Sequence, residues 1–240
     1  MSESHWRIKS LILVNIFSIA LFTTWLYEPM SSFWYEIDSS LFWSFNNSLM
    51  WGETWQTIWG LANNRAFDIV AVVAVVIPFF YYGYKKEDWK LSHTFSILIM
   101  IAFVSVFSLL VGKEIPIERP SPTIHFPDSA KITQLVSFST KDSSSDSFPG
   151  DHGISLIILA GFAFFYLSKS YGILVSVLAV VFTFPRVMVG AHWVSDELVG
   201  AVSLGFIMLS LVFYTPLHSI LLTKIESSLK SILRMIKEKK

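Results

Sequence analysis

Six stretches of this chain, 11–27, 67–84, 93–112, 153–168, 171–188 and 197–214, are apolar over lengths that leave few folds open. A helix rises 1.5 Å per residue, so crossing the hydrocarbon core of a bilayer takes about 17–25 such residues. The fourth stretch is the shortest and is read as a span from its neighbours. In lipid every backbone N–H and C=O must be paired within its own segment, which makes these stretches helices and not strands. The expectation is an all-α membrane protein with six transmembrane helices. Charged residues make up 15% of the chain, against about 25% in a soluble domain, and this shortfall agrees with the run lengths. Net charge is zero, so no basic surplus points to nucleic acid. Cysteine is absent, which removes disulfides, thiol nucleophiles and thiolate metal sites. The first apolar run follows Met1–Ser10 and continues through Tyr27 with no small-residue cleavage pattern, so it reads as a retained anchor and not a signal peptide.

Lysine and arginine collect on the cytoplasmic side of membrane proteins. With six spans, the N-terminus, the loop near Lys85, the turn at Lys169 and the C-terminus share one side. That side holds Arg7, Lys9, Lys85, Lys86, Lys90, Lys169, Lys224, Lys230, Arg234, Lys237, Lys239 and Lys240, two thirds of the 18 basic residues. Both termini are therefore expected in the cytoplasm, with loops 28–66, 113–152 and 189–196 in the periplasm. Loop 28–66 carries Trp34, Trp43, Trp51, Trp55 and Trp59, and tryptophan favours the headgroup level. It reads as one or two short periplasmic interfacial helices. Residues 1–219 form the expected membrane domain, and 220–240 a basic amphipathic cytoplasmic tail that attaches to anionic lipids.

Ionisable residues near span ends are costly in a membrane and usually functional. Arg119, His152, Arg186, His192 and Asp196 all fall on the expected outer side. His192 and Asp196 are four apart, as on one helix face. A carboxylate on one imidazole nitrogen fixes the tautomer and frees the other for attack. By itself that spacing is more often a surface ion pair. Arg119 and Arg186 offer planar donor forks that match phosphate oxygens and the charge of a phosphoryl transition state. In Phe148-Pro149-Gly150-Asp151-His152-Gly153 a tight turn opens an apolar helix. Its first N–H groups are suited to an anion, and His152 to giving a proton to a leaving oxygen.

Arg119-Pro120, then Pro149-Gly150-Asp151-His152, then Arg186-x5-His192-x3-Asp196 resemble the three-part signature of the type 2 phosphatidic acid phosphatase superfamily. The resemblance implies that His192 becomes a phosphohistidine, that Asp196 orients it and that His152 protonates the leaving group. It implies phosphate binding by Arg119 and Arg186, with no metal and no cofactor. Gly112 holds the position where that signature has a lysine, with Lys113 one place off. Gly150 and Asp151 replace a serine and a glycine, and Pro185 replaces another serine. A modified substrate preference is therefore expected. Asn63-Asn64-Arg65-Ala66-Phe67-Asp68, Ser121-Pro122-Thr123, Thr140-Lys141-Asp142 and Phe184-Pro185-Arg186-Val187-Met188 are similar to the lipid A 1-diphosphate synthases. That similarity implies undecaprenyl pyrophosphate and lipid A as substrates at the periplasmic face of an inner membrane. Asp151, Gly150, Arg65 and Lys141 become possible substrate contacts, although Arg65 and Asp68 equally suit a structural pair.

Loop 113–152 reads either as a lid, with Lys131 and Lys141 meeting sugar phosphates, or as a flexible loop whose serines 143–145 make no contacts. Two other functions are consistent with parts of the sequence. One is a polyprenyl pyrophosphate or other lipid phosphatase on the same fold, which would release inorganic phosphate without an acceptor. The other is a transporter or non-catalytic subunit, which would need polar residues at mid-span.

Overall fold

The computed structural model describes residues 6–85 and 91–238; Lys86, Lys90, Lys239 and Lys240 of the charge argument lie outside them. Eleven α-helices follow in order among the described residues: α1 Ile8–Leu26, α2 Met30–Ser48, α3 Glu53–Ala62, α4 Arg65–Lys85, α5 Leu91–Lys113, α6 Pro122–His125, α7 Ile132–Leu135, α8 Asp151–Tyr166, α9 Lys169–Met188, α10 Val202–Phe213 and α11 Leu217–Glu238. A π-helical turn, Asp196–Ala201, runs directly into α10. Every described regular segment is helical.

Each expected span coincides with a helix. Four helices are long and apolar enough to cross a membrane, Ile8–Leu26, Ser92–Lys113, Lys169–Met188 and Asp196–Phe213, and a bent pair, Glu53–Ala62 with Ala66–Tyr81, raises the number to five. Asp151–Tyr166 is apolar but shorter. Large apolar side chains remain exposed on α1, α4, α5 and α9, among them Leu13, Ile16, Ile69, Val72, Phe103, Val106, Val177 and Val180. Water would not tolerate so broad an apolar surface, whereas lipid chains match it. The chain is a multi-pass membrane protein.

Inside the bundle, α8 packs on α9, α5 and α10, and α1 packs on α10. Phe79, Ile97, Met100, Ile154, Ile158, Phe162, Val175 and Met208 form the buried centre. Helix α10 approaches α8 closely at Gly205, where a Cβ would lie 2.7 Å from Ile157 Cγ2. Small residues at such crossings let backbones come together where lipid supplies no hydrophobic drive. Helix α11 begins three residues before the expected tail and lies along α5. Leu221, Leu222 and Ile225 pack on the core, and Glu226 accepts from His93 Nδ1 at 2.7 Å.

The connections separate into two ends. The Arg7 N–H donates to the Tyr214 carbonyl (3.0 Å), which joins the start of α1 to the end of α10. At the opposite end α2, α3 and segments 114–150 and 189–195 form a cap. Leu49, Ile132, Met188, Val189 and Ala191 make its small core, with Trp55 and Trp59 packed against it. The cap is tightly sewn. Asn46 bonds both backbone groups of Ala130, and Asp142 accepts from the N–H and hydroxyl of Thr133. Ser121 and Ser144 bond each other twice. The contact-free serine loop is thereby corrected: residue 144 is pinned because Ser121, next to Pro120, supplies partners for its N–H and C=O. These bonds tie residues 121–144 of the segment to one another and to α2.

Candidate functional site

Eight ionisable groups meet beneath the cap, four carboxylates among two arginines and two imidazoles: Asp38, Arg119, Asp196, His192, Asp151, His152, Arg186 and Asp68. The turn after α9 brings His192 into place. Gly190 takes φ +78°, a left-handed conformation that suits glycine, and a Cβ there would also press on Phe42 and Thr123. The Arg186 carbonyl accepts from the Ala191 and His192 N–H groups (2.9 and 3.2 Å), closing the turn.

His192 is therefore not on the helix that carries Asp196, as the four-residue spacing had implied; it lies on the turn leading into it. Its Nδ1–H donates to the Ser147 carbonyl at 2.9 Å, with Asp196 Oδ2 further off at 3.5 Å. A carbonyl only accepts, so the proton belongs on Nδ1 and the lone pair on Nε2. Nε2 faces Asp151 Oδ1 at 3.8 Å. Burial disfavours the charged imidazolium, but the Asp196 carboxylate beside Nδ1 and the charges of Glu197 and Asp151 outweigh it, and the His192 pKa is raised.

Asp196 is fully buried. Its Oδ2 accepts from the Trp193 N–H (2.8 Å) and its Oδ1 from Arg119 Nη1 (2.5 Å). Arg119 also donates through Nη1 to Ser195 Oγ (2.8 Å) and through Nη2 to Asp38 Oδ2 (2.7 Å). Its guanidinium stacks between the rings of Trp25 and Trp193, at 5.1 and 4.8 Å. Asp38 takes the Ser195 N–H (2.9 Å) and hydroxyl (2.5 Å) as well. Both terminal nitrogens of Arg119 are thus committed to carboxylates and a hydroxyl. The two-arginine phosphate clamp is divided: Arg119 braces Asp196 from behind, and Arg186 stands on the side of the two histidines.

On that side, Asp151 Oδ1 accepts from the N–H of His152 (2.8 Å) and its Nδ1–H (2.6 Å). His152 Nε2 meets Arg186 Nη2 at 3.2 Å and Asp68 Oδ2 at 3.5 Å. Arg186 is buried, bidentate on Asp68 (2.7 and 2.8 Å) and bonded to the carbonyl and side chain of Asn63 (2.8 and 2.6 Å). The helix N-terminus expected to receive an anion already holds one, the Asp151 carboxylate, which lies between the two imidazoles. Its side chain is 60% exposed, so it has room to swing aside. Asp151, His152 and His192 place ligand-type atoms within 4.8 Å of one another. These are the described residues whose spacing would suit a metal ion.

Gly150 caps α8 and donates its N–H to the Asp196 carbonyl (3.1 Å). Lys113 is exposed at the end of α5 and makes no hydrogen bond or ion pair among the described residues. The Lys141 side chain is exposed, while its carbonyl accepts from Asn63. Asp68 is bound to Arg186 and His152, and the Arg65 side chain lies outside the described residues. Sequence reasoning missed Asp38, the Ser147 carbonyl, Ser195 and Glu197, and it gave no role to Asn63, which holds Arg186. Asp38 did carry a signal: with Phe42 and Asn46 it occupies one buried face of α2 at four-residue spacing.

The sequence profile of the PAP2 superfamily matches residues 89–220. The lipid A 1-diphosphate synthase of Escherichia coli (strain K12) is 37% identical to this chain over 224 residues, covering 93% of this chain and 94% of that protein. The crystal structure of a transmembrane PAP2-type phosphatidylglycerolphosphate phosphatase from Bacillus subtilis aligns with 92% of this chain and 98% of its own, at TM-score 0.49 and 18% identity.

Proposed function

The chain belongs to the PAP2 superfamily and is a lipid phosphatase-related enzyme, and on that premise we propose that it moves the distal phosphate of undecaprenyl pyrophosphate to the 1-phosphate of lipid A through a phosphohistidine at His192. The products are undecaprenyl phosphate and lipid A 1-diphosphate. One observation carries the reading: His192 Nδ1 is held by the Ser147 carbonyl, so the neutral ring turns its Nε2 lone pair to the anion seat that it shares with His152. The lipid A 1-diphosphate product is supported by the name of the 37% identical Escherichia coli relative; the donor is the one that the resemblance in the sequence implies.

In the first half-reaction the donor's anionic head displaces the Asp151 carboxylate. The Nε2 lone pair attacks the distal phosphorus, and the bond from that phosphorus to the bridging oxygen breaks, its electrons leaving with undecaprenyl phosphate. His152 gives a proton to the departing oxygen. Arg186 offsets charge on the non-bridging oxygens, and Asp196, braced by Arg119, stabilises the positive ring. In the second half an oxygen of the lipid A 1-phosphate attacks the phosphohistidine, the N–P bond breaks, and His152 takes back a proton if the acceptor carries one. The proposal takes the shorter apolar helix Asp151–Tyr166 as a sixth span, with both termini in the cytoplasm and the site at the periplasmic face of an inner membrane, a reading supported by the lysine and arginine bias.

Purified protein given labelled undecaprenyl pyrophosphate is expected to transfer label to lipid A 1-phosphate when that acceptor is present. Label released only as inorganic phosphate, with or without acceptor, would make the enzyme a phosphatase.

Attack requires neutral His192, so the donor kcat/KM is expected to rise as pH passes through its raised pKa. Asp151→Asn removes a negative charge 3.8 Å from Nε2. Less charge favours the neutral ring, so the acid limb of the pH profile should move to lower pH. A limb that stays in place or moves to higher pH would contradict this electrostatic role.

A further inference from the structure

The cluster beneath the cap holds more carboxyls than its arginines offset. Asp38 and Asp196 share Arg119, and Asp68 holds Arg186. Asp151 is paired with the two histidines. Glu197 adds a fifth carboxyl. It packs against Gly150 and Gly153, which flank Asp151 and His152, and both its oxygens are buried without a hydrogen-bond partner among the described residues. With neutral rings and ionised carboxyls the cluster is strongly negative, and uncompensated buried charge is costly. Protons on the rings can offset it, and so can one divalent ion in their place.

Ligand atoms for such an ion are already together. Asp151 Oδ1 stands 2.6 Å from His152 Nδ1 and 3.8 Å from His192 Nε2, and the three residues bring ligand-type atoms within 4.8 Å of one another. Zinc bonds of about 2.0–2.1 Å put neighbouring tetrahedral ligands about 3.3 Å apart, so small side-chain shifts would close the set. The far nitrogen of each ring also faces an acceptor. His192 Nδ1–H donates to the Ser147 carbonyl at 2.9 Å, and Asp68 Oδ2 lies 3.5 Å from His152 Nε2. Outer acceptors of this kind fix the tautomer that turns the other nitrogen to a metal. Arg186 Nη2, 3.2 Å from the same His152 Nε2, is the opposing charge, and Asp68 holds that guanidinium through both oxygens. The Asp151 side chain is the exposed member of the three, which gives an ion a way in and water a fourth position.

We propose that Asp151, His152 and His192 form a zinc-binding site, with Asp151 Oδ1, His152 Nδ1 and His192 Nε2 as the protein ligands. Two imidazoles and one carboxylate suit zinc, whereas magnesium and calcium take oxygen ligands. Asp151 supplies the third ligand at a position where the superfamily signature has glycine. The site stands on this geometry and not on the substrate pair. It bears on the reaction through one atom. Zinc on His192 Nε2 takes the lone pair that attack requires, so on the phosphohistidine reading above the zinc-bound enzyme is an inactive resting form.

The test uses the full-length protein in detergent, stripped with EDTA and dialysed. It is titrated with Zn²⁺ by calorimetry and with Co²⁺ for its visible absorption. One equivalent of Zn²⁺ should bind with micromolar affinity, and a large excess of Mg²⁺ should not displace it. Co²⁺ should give the intense bands of a four-coordinate ion. Zn²⁺ affinity should fall about tenfold or more in Asp151→Asn, which loses a ligand, and about tenfold in Asp68→Asn, which loses an outer acceptor. His192→Ala should abolish the Co²⁺ bands, and His218→Ala, on α11, should keep them. Asp151→Asn changes an exposed side chain by one atom, so its helical circular dichroism should match wild type and its affinity reads the ligand alone. Wild-type Zn²⁺ affinity in both Asp151→Asn and His192→Ala, or no equivalent bound by wild type, overturns the proposal. The two readings fail separately. Zinc bound through these residues with turnover undiminished at saturation supports the site and removes His192 as the nucleophile. Transfer through His192 in a protein that binds no zinc overturns the site and leaves the reaction.

Discussion

His192→Ala is expected to lower turnover of undecaprenyl pyrophosphate by about 10⁴-fold or more, the scale of loss when a covalent nucleophile is removed. The residue lies on a turn and not in the bundle core, so the variant should keep its helical circular dichroism and its detergent-extracted yield. Rates are to be read as loss of labelled donor. No other described imidazole can take over. His152 Nδ1–H is bonded to Asp151, and its Nε2 is met by Arg186 and Asp68, so no lone pair is directed at the anion seat. Turnover within about tenfold of wild type would mean that the chemistry does not pass through this ring.

Asp38→Ala should be the most damaging single change outside the two histidines. It leaves the Arg119 guanidinium without one of its two carboxylates and strips Ser195 of acceptors for its N–H and hydroxyl. Breaking a buried pair by removing one partner costs about 3–5 kcal/mol. Asp38 is 1% exposed, so water offers little relief. The loss should appear as a lower thermal unfolding midpoint in detergent, together with slower turnover as the brace on Asp196 loosens. The double variant Asp38→Leu/Arg119→Met, which removes both charges, should be more stable than Asp38→Ala although it is inactive. A midpoint unchanged in Asp38→Ala would show that Arg119 is held well enough by Asp196, Ser195 and the two tryptophan rings.

The long helices were legible because run length in lipid leaves helices as the main option. Their ends were read less well, for reasons seen at α8 and α9. The apolar run begins at Gly153, yet α8 starts at Asp151, since Gly150 is its cap. Helix α9 starts at Lys169, capped by Ser168 Oγ accepting from the Tyr171 N–H. Hydropathy does not register polar residues in a first helical turn. The chemistry-bearing residues were legible as types, while their pairings were not. Arg119 with Asp38 and Arg186 with Asp68 are separated by 81 and 118 positions, and no periodicity reports such contacts. The His192 to Asp196 spacing misled because the turn at Gly190 holds His192 ahead of the helix that carries Asp196. The Ser147 carbonyl, which fixes the tautomer, is a backbone group and leaves no mark in the side-chain sequence.

The central claim, a covalent phosphate on one ring nitrogen, has a direct measurement. Wild-type protein is mixed with donor labelled in its distal phosphate, without acceptor, quenched in alkali within milliseconds, and its peptides are mapped by mass spectrometry. Acid-labile, alkali-stable label on His192, discharged when lipid A 1-phosphate is added before quenching, is the expected result. Steady transfer of label to the acceptor with no phosphorylated His192 at any quench time would contradict the account.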